Sequence, residues 1–184
     1  MSDQRSLQSN PGVIREFYVQ QYGGGKPKIE GVHIIPLKTW MTEDGDFAEL
    51  VRLNDQGELE QAPGLKVRQI NRSTLLPNTV KAWHFHFNQD EAWYVPPTGQ
   101  LMLGLWDVRS DSATKDVTMR VVLGGASPSL VVVPRGVAHG ACNLTNKPVE
   151  LYYYVSQQFS PESPDENRIP WNAIGEDFWK PERD

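Results

Sequence analysis

Short runs rich in Val, Leu, Thr and aromatic residues recur along most of this chain, with turn-forming segments between them. At least eight such runs lie between residues 31 and 159. Runs of this length and composition are typical of β-strands, and the Gly, Pro, Asn and Asp residues between them favour tight turns. No long helical periodicity competes with this pattern. The sequence therefore predicts an all-β fold, a sandwich or barrel of the jelly-roll type.

The 184 residues fit one domain, which we assign to residues 1–184. Residues 1–12 are polar, and we expect them to be flexible. The stretch that follows, up to the three glycines starting at Gly23, is consistent with a short helix or a short strand. Residues 160–184 are rich in proline and polar side chains but also contain three large aromatic residues. Such rings are seldom left in water, so we expect this extension to pack on the barrel.

The net charge of the chain is −5 at pH 7, so its surface does not attract nucleic acid or anionic membranes through bulk electrostatics. The single cysteine, Cys142, cannot form an intrachain disulfide and suits a reducing compartment. The N-terminus lacks the apolar core of a signal peptide, and no apolar run approaches the ~18 residues of a membrane helix. We therefore expect a cytoplasmic protein that binds a small molecule, with neither nucleic acid nor a membrane as partner.

Two of the four histidines, His84 and His86, lie in the run KAWHFHF. In a strand over residues 79–87, side chains alternate between the two faces, so both imidazoles point the same way, roughly 7 Å apart. We expect this face to line the interior of the barrel or a cleft. The opposite face, which we expect to pack against another sheet, carries Trp83, Phe85 and Phe87.

Glu91 follows His86 with four residues between them, and His139 lies in the run PRGVAHGACN. The two patterns, HxHxxxxE and PxGxxHxxxN, resemble the signature motifs of the cupin superfamily of small jelly-roll barrels, although Asn78 replaces a glycine that usually opens the first motif. In metal-bearing cupins the matching side chains bind one divalent ion. The ligands that this resemblance implies are His84, His86, Glu91 and His139. Such a set suits Mn, Fe, Ni, Cu or Zn; the alternative is that these are ordinary strand residues satisfied by their neighbours.

A longer resemblance covers residues 31–181. The segments VRQINRS, VKAWHFH, VVVPRGVAHGA and IPWNAIGEDFW occur in this order, and together they resemble the dTDP-4-dehydrorhamnose 3,5-epimerase family. That family shares the cupin-type barrel but generally uses no metal. The resemblance implies one cupin domain, a homodimer, and a carbohydrate epimerase that needs no cofactor.

The same resemblance implies roles for individual residues. His84 matches the catalytic base of the family, and Tyr153 matches the acid on the opposite face of the sugar. A histidine is suited to proton abstraction next to a ketone because its pKa lies near neutrality. The substrate- or nucleotide-binding positions of the family match Glu49, Gln69, Asn71, Lys81 and His139, with Lys81 standing where the family has an arginine for the phosphates.

The chain also departs from the family at several positions. Asp44 replaces an arginine that contacts phosphate, and His86 stands where the family has a glutamine. The late aspartate that orients the catalytic histidine of the family lies beyond its closing W-N-D segment, at a position that the chain does not reach before Asp184. We therefore expect an orienting carboxylate from elsewhere, and Glu91 is a candidate.

We expect a carbohydrate epimerase or isomerase that acts on a nucleotide-linked 4-keto-6-deoxy sugar. One alternative is a metal-dependent cupin enzyme, a dioxygenase or a metal-assisted isomerase, that acts on a small sugar or keto acid. A second alternative is a sugar-binding cupin without turnover.

Overall fold

The computed structural model describes residues 28–181, so the predictions for residues 1–12 and for the stretch around Gly23 lie outside it. Within this range no helix is both long enough and apolar enough to cross a membrane. A 3-10 helix spans Glu176–Trp179. The strands are β1 His33–Pro36, β2 Thr39–Thr42, β3 Gly45–Ala48, β4 Gln69–Leu75, β5 Val80–Phe85, β6 Glu91–Tyr94, β7 Gln100–Asp107, β8 Thr118–Gly124, β9 Ser129–Val133, β10 Val137–Cys142, β11 Val149–Val155 and β12 Asn167–Arg168.

Ten of these strands form two five-stranded antiparallel sheets, in the orders β1-β9-β6-β11-β4 and β12-β5-β10-β7-β8. From β4 to β7, and again from β8 to β11, successive strands alternate between the two sheets, which is the connectivity of a jelly roll. Strands β2 and β3 form a separate two-stranded sheet. The predicted all-β, cupin-type barrel is confirmed.

The core between the two sheets follows from strand alternation. On β7, Leu101, Leu103 and Leu105 all point into the main hydrophobic cluster, where they meet Val131 and Val133 of β9. Each of these five side chains is at most 1% exposed. Burying one such side chain contributes about 1.5–3 kcal/mol to the free energy of folding, so the regular spacing of apolar residues fixes which face of each strand points inward.

The C-terminal extension covers the outer face of β5. Trp83 is fully buried, and its ring centroid lies 4.7 Å from that of Trp179 and 5.2 Å from that of Phe178. Gly104 of β7, which lies on the other side of β10 in the same sheet, makes room for these rings, because a Cβ atom there would lie 2.6 Å from the Trp179 ring. The prediction that the aromatic face of β5 packs against another sheet is therefore wrong. Phe87, beyond the end of the strand, is 65% exposed.

Candidate active site

A cavity of about 230 Å³ lies between the two barrel sheets, and six of the residues selected from the sequence line it: Lys81, His84, His86, Glu91, His139 and Tyr153. An adjoining cavity of about 510 Å³ is lined by Gln69 and Asn71 and shares His86, Glu91 and Tyr153 with the first. A larger groove of about 1100 Å³ runs past β1 and β8 and is lined by both apolar and polar side chains. The chemistry-bearing side chains thus converge on the two smaller cavities.

His84 is held by a carboxylate of the C-terminal extension. Its Nδ1–H donates a hydrogen bond to Oε1 of Glu166, and the His84 side chain is 13% exposed. Because a carboxylate only accepts, the proton of the neutral ring must reside on Nδ1. The lone pair then lies on Nε2, as a general base requires.

Glu91 is a buried carboxylate that two other histidines surround. Nε2 of His86 lies 3.0 Å from Oε1, and Nε2 of His139 lies 3.5 Å from Oε2. Gln89 Nε2 donates to Oε1 at 2.7 Å, and the indole N–H of Trp93 donates to Oε2. The carboxylate is therefore occupied by neighbours other than His84, and the prediction that Glu91 orients His84 is wrong.

Burial and charge act against each other in this cluster. Burial alone would lower the pKa of His86, but the hydrogen bond and the charge of Glu91 raise it to about 9. Burial likewise opposes the charge on Glu91, but the two histidines, His139 and His86, hold the pKa of its carboxyl well below the usual range. Burial lowers the pKa of His139, so the imidazole that ionises with Glu91 is that of His86.

Three side chains of the cavity are arranged in a way that fits a metal ion. One ligand atom each of His86, Glu91 and His139 lies within 4.8 Å of the others, and all three side chains are buried. Each imidazole donates from Nδ1 to a backbone carbonyl oxygen, that of Asp165 for His86 and that of Val137 for His139. Metal-binding histidines are commonly oriented in this way, because the bond leaves Nε2 free for the ion. The residues present thus fit a divalent ion, and its binding would release the proton of His86.

His84 does not join this group, contrary to the predicted set of four ligands. Its Nδ1 bonds to Glu166, and its ring centroid lies 6.4 Å from that of His139, against 5.3 Å for His86 and His139. The physical reason is that β5 ends at Phe85, so His86 leaves the strand geometry that would keep the two imidazoles parallel.

Tyr153 lines the cavity from the other sheet. It lies on β11, next to Trp93 of β6, and the two ring centroids are 6.1 Å apart. Burial first, and the charges of Glu91 and Glu166 second, raise the pKa of its phenol. Among the residues that the structure describes, its hydroxyl has no hydrogen-bond partner. The phenol is therefore protonated at neutral pH and available to a bound substrate.

Positive and amide side chains surround the rest of the site. Lys81 and Arg168 both line the smaller cavity, and Nη2 of Arg168 lies 3.4 Å from Oε1 of Glu166. In the adjoining cavity, Gln69 Nε2 donates to Asn71 Oδ1 at 2.7 Å. The arrangement offers cations for an anionic group and amides for polar ligand atoms.

Comparison with known proteins identifies the family of the chain. A family model described as dTDP-4-dehydrorhamnose 3,5-epimerase matches residues 26–178, a range that includes every strand of both barrel sheets. The chain belongs to the dTDP-4-dehydrorhamnose 3,5-epimerase family. The predicted family and the predicted enzyme class, an isomerase, are confirmed, and the ordinary enzymes of this family need no cofactor.

Individual relatives agree with this assignment. The spore coat polysaccharide biosynthesis protein SpsL of Bacillus subtilis is 38% identical over 144 residues, which cover 78% of this chain and 91% of SpsL. NovW, a 4-keto-6-deoxy sugar epimerase from the novobiocin biosynthetic gene cluster of Streptomyces spheroides, superposes with a TM-score of 0.70 at 23% identity, covering 84% of this chain and 77% of NovW. The epimerase RmlC of Legionella pneumophila, in complex with dTDP-4-keto-L-rhamnose, gives a TM-score of 0.67 at 24% identity, covering 78% and 75%. At these identities the solved structures show the shared fold.

Glu49, which the family resemblance placed at a substrate- or nucleotide-binding position, does not line either of the two smaller cavities. Its carboxylate pairs with Arg52 at 2.7 Å. The residue follows hairpin β2–β3, which belongs to neither barrel sheet, and this separation keeps it away from His84.

Sequence reasoning missed Glu166 and Arg168, which lie just before the IPWN run that resembles the closing segment of the epimerase family. The charged run DENR at residues 165–168 could have indicated a functional role, but it lies in the extension that we expected only to pack on the barrel. Strand β12 has two residues, which is too short for side-chain alternation to predict where Glu166 points.

Proposed function

We propose that the protein epimerises a nucleotide-linked 4-keto-6-deoxy sugar by removing and returning a proton on a carbon next to the ketone. The observation that carries this proposal is a candidate base and a candidate acid on opposite walls of one cavity. His84 lies on β5 and Tyr153 on β11, in different sheets, and both line the same space of about 230 Å³. Inversion needs removal of a proton from one face and its return to the other.

The chemistry follows from these groups. The C4 ketone acidifies the C–H bonds at C3 and C5, and Nε2 of His84 takes one of these protons. The electron pair of the C–H bond forms an enolate, whose oxygen the Lys81 ammonium stabilises. The Tyr153 hydroxyl protonates the carbon from the opposite face, which restores the ketone with inverted configuration. The imidazolium and the phenolate then exchange protons with solvent.

Two considerations support a nucleotide sugar as substrate. The Legionella relative binds dTDP-4-keto-L-rhamnose, and NovW is described as a 4-keto-6-deoxy sugar epimerase. In this chain, Arg168 supplies a positive charge at the cavity in addition to that of Lys81, which suits a phosphate group.

A second candidate function, metal-assisted isomerisation, is favoured by the cluster of His86, Glu91 and His139. A divalent ion held there would act as a Lewis acid toward a carbonyl oxygen. The base and the acid of the chain would keep the roles given above.

The decisive experiment is incubation of dTDP-4-keto-6-deoxyglucose with the protein in deuterated water, followed by NMR. We expect deuterium at C3 or C5, and no incorporation with His84→Gln. Absence of exchange with the wild-type protein, whether or not a metal is added, would overturn epimerisation of this substrate and leave sugar binding without turnover.

We also propose a homodimer, the state that the family resemblance implies. Hairpin β2–β3 leaves Trp40, Met41 and Phe47 exposed by 42%, 77% and 62%, and an isolated hairpin is marginally stable in water. Light scattering after size exclusion tests the proposal, with twice the chain mass expected. A monomer at micromolar concentration would contradict it.

A cytoplasmic location is proposed on the free, buried thiol of Cys142, which suits a reducing compartment. Fractionation of cells that express a tagged protein tests it, and recovery of the protein with an extracytoplasmic fraction would contradict it.

A further inference from the structure

We propose that Glu166 is the positioning residue of the catalytic base, the carboxylate that fixes the ring and the tautomer of His84. This inference rests on the proposed function and assigns a role to a residue that the sequence alone did not single out, since Glu166 lies 82 positions from His84. The contact that carries it joins Nδ1 of His84 to Oε1 of Glu166.

The backbone on both sides of Glu166 is anchored, so its carboxylate has a defined position. On the C-terminal side, Ile169 and Trp83 exchange two backbone hydrogen bonds of 3.1 Å, and Arg168 lies opposite His84 in the ladder.

On the N-terminal side, the carboxylate of Asp165 accepts hydrogen bonds from the backbone N–H groups of Phe87 at 2.9 Å and Asn88 at 2.7 Å. The carbonyl oxygen of Asp165 accepts from Nδ1 of His86. One short segment therefore sets the orientation of both histidines of the HxH motif.

The consequence for catalysis is electrostatic as well as geometric. A carboxylate at Nδ1 keeps the lone pair on Nε2 before proton abstraction and stabilises the imidazolium that forms afterwards. The Glu166 side chain is 37% exposed and the His84 side chain 13%, so the pair lies at the wall of the cavity. Nε2, on the far side of the ring, remains for the substrate.

Steady-state kinetics with dTDP-4-keto-6-deoxyglucose test the proposal. We expect Glu166→Gln, which keeps the shape and removes the charge, to lower kcat roughly 100-fold while KM changes less than about threefold, in line with the size of general-base effects. Glu166→Asp should recover part of the loss. The matched control is Glu162→Gln, an exposed position of the same segment that lines neither cavity, and it should retain wild-type kinetics. An unchanged kcat in Glu166→Gln would overturn the proposal.

Nitrogen-15 NMR of labelled histidine gives a readout that does not depend on turnover, with His84→Gln used to assign the signals. We expect His84 of the wild-type protein to carry its proton on Nδ1, and Glu166→Gln to mix the two tautomers. If the wild-type protein turns over no sugar but shows this change, the proposed function fails and the positioning role stands. If His84 has the same tautomer in both proteins, the positioning role fails whatever the kinetics.

Discussion

Nε2 of His86 lies 3.0 Å from Oε1 of Glu91, and both side chains are buried beside the proposed catalytic base. The two charges neutralise each other without an ion, and the arrangement of the pair with His139 also fits a divalent metal ion. Charge neutralisation within the cavity and metal binding therefore involve the same atoms, and the two can be separated by experiment.

The first prediction concerns this cluster. We expect Mn²⁺ or Zn²⁺ to raise the unfolding temperature of the wild-type protein and not that of His86→Gln, because the variant lacks one of the two nitrogen ligands. Differential scanning calorimetry of protein treated with a chelator measures the effect. Activity in the presence of the chelator should persist, since His84 and Tyr153 carry the proposed chemistry. No shift in the wild-type protein would exclude the metal-assisted candidate.

Removing the Tyr153 hydroxyl should separate proton removal from inversion. In Tyr153→Phe the base can still abstract a proton and return it to the same face, so deuterium should enter the substrate while inverted product falls roughly 100-fold. NMR of the sugar distinguishes the two events. The hydroxyl has no partner within the described residues, so folding stability should change by less than about 0.5 kcal/mol. Loss of exchange together with loss of product would contradict the acid role.

Arg168→Gln should weaken binding of the nucleotide sugar more than it slows the chemistry. We expect KM to rise about tenfold, which corresponds to about 1.4 kcal/mol, because one positive charge at the cavity is lost. The control is Lys147→Gln, a position that lines neither of the two cavities. An equal rise in KM in both variants would show a general charge effect and reject a phosphate contact.

Gly104→Val tests whether the extension must dock for the site to work. The added side chain would collide with the rings of Trp179 and Phe178, since even a Cβ would lie 2.6 and 2.7 Å from them. We expect faster proteolysis of the segment after residue 160 and a drop in kcat. Val122→Leu, an exposed position on the adjacent β8, should behave like the wild-type protein. If Gly104→Val is cleaved faster but keeps full activity, docking of the extension is not required for catalysis.

Asp107 predicts a pH dependence of stability. Burial opposes its charge, but hydrogen bonds from Arg109, Ser112 and Thr114 hold the pKa of its carboxyl well below the usual range. A carboxyl whose pKa is depressed in the folded state adds stability at pH values above its pKa in the unfolded chain, about 4. This stability is lost progressively as the pH falls from there toward the folded-state pKa. Asp107→Asn should therefore lose about 2 kcal/mol of unfolding free energy at pH 7, and the gap to the wild-type protein should narrow between pH 5 and pH 3 in urea titrations. A difference in unfolding free energy that stays constant with pH would contradict a depressed pKa of Asp107 in the folded protein.

The fold could be predicted because its signal is local. Alternation of apolar residues, as on β7 from Leu101 to Leu105, identifies a strand and its inward face without knowledge of its neighbours. The motif spacing brought His86, Glu91 and His139 to one place. Asn78, which replaces the opening glycine of the first motif, has a φ of 56°, so the substitution keeps the left-handed turn that glycine favours.

The partners of these residues could not be predicted in the same way. His84 and Glu166 are 82 positions apart, and the ladder between β5 and β12 decides their contact. Glu91 follows the HxH motif at the spacing of a ligand, but which imidazole it reaches depends on where β5 ends. Tertiary packing determines these contacts, and the spacing of residues along the chain does not contain that information.

The two-residue strand β12 has a consequence for solubility. Without it, β5 would be the outermost strand of its sheet, since β10 occupies its other side, and its free N–H and C=O groups would offer a template for intermolecular pairing. The segment that carries Glu166 thus also protects β5, the strand that carries His84, from pairing with strands of other chains. Protein truncated before Asp165 should accordingly form β-rich aggregates that bind thioflavin T.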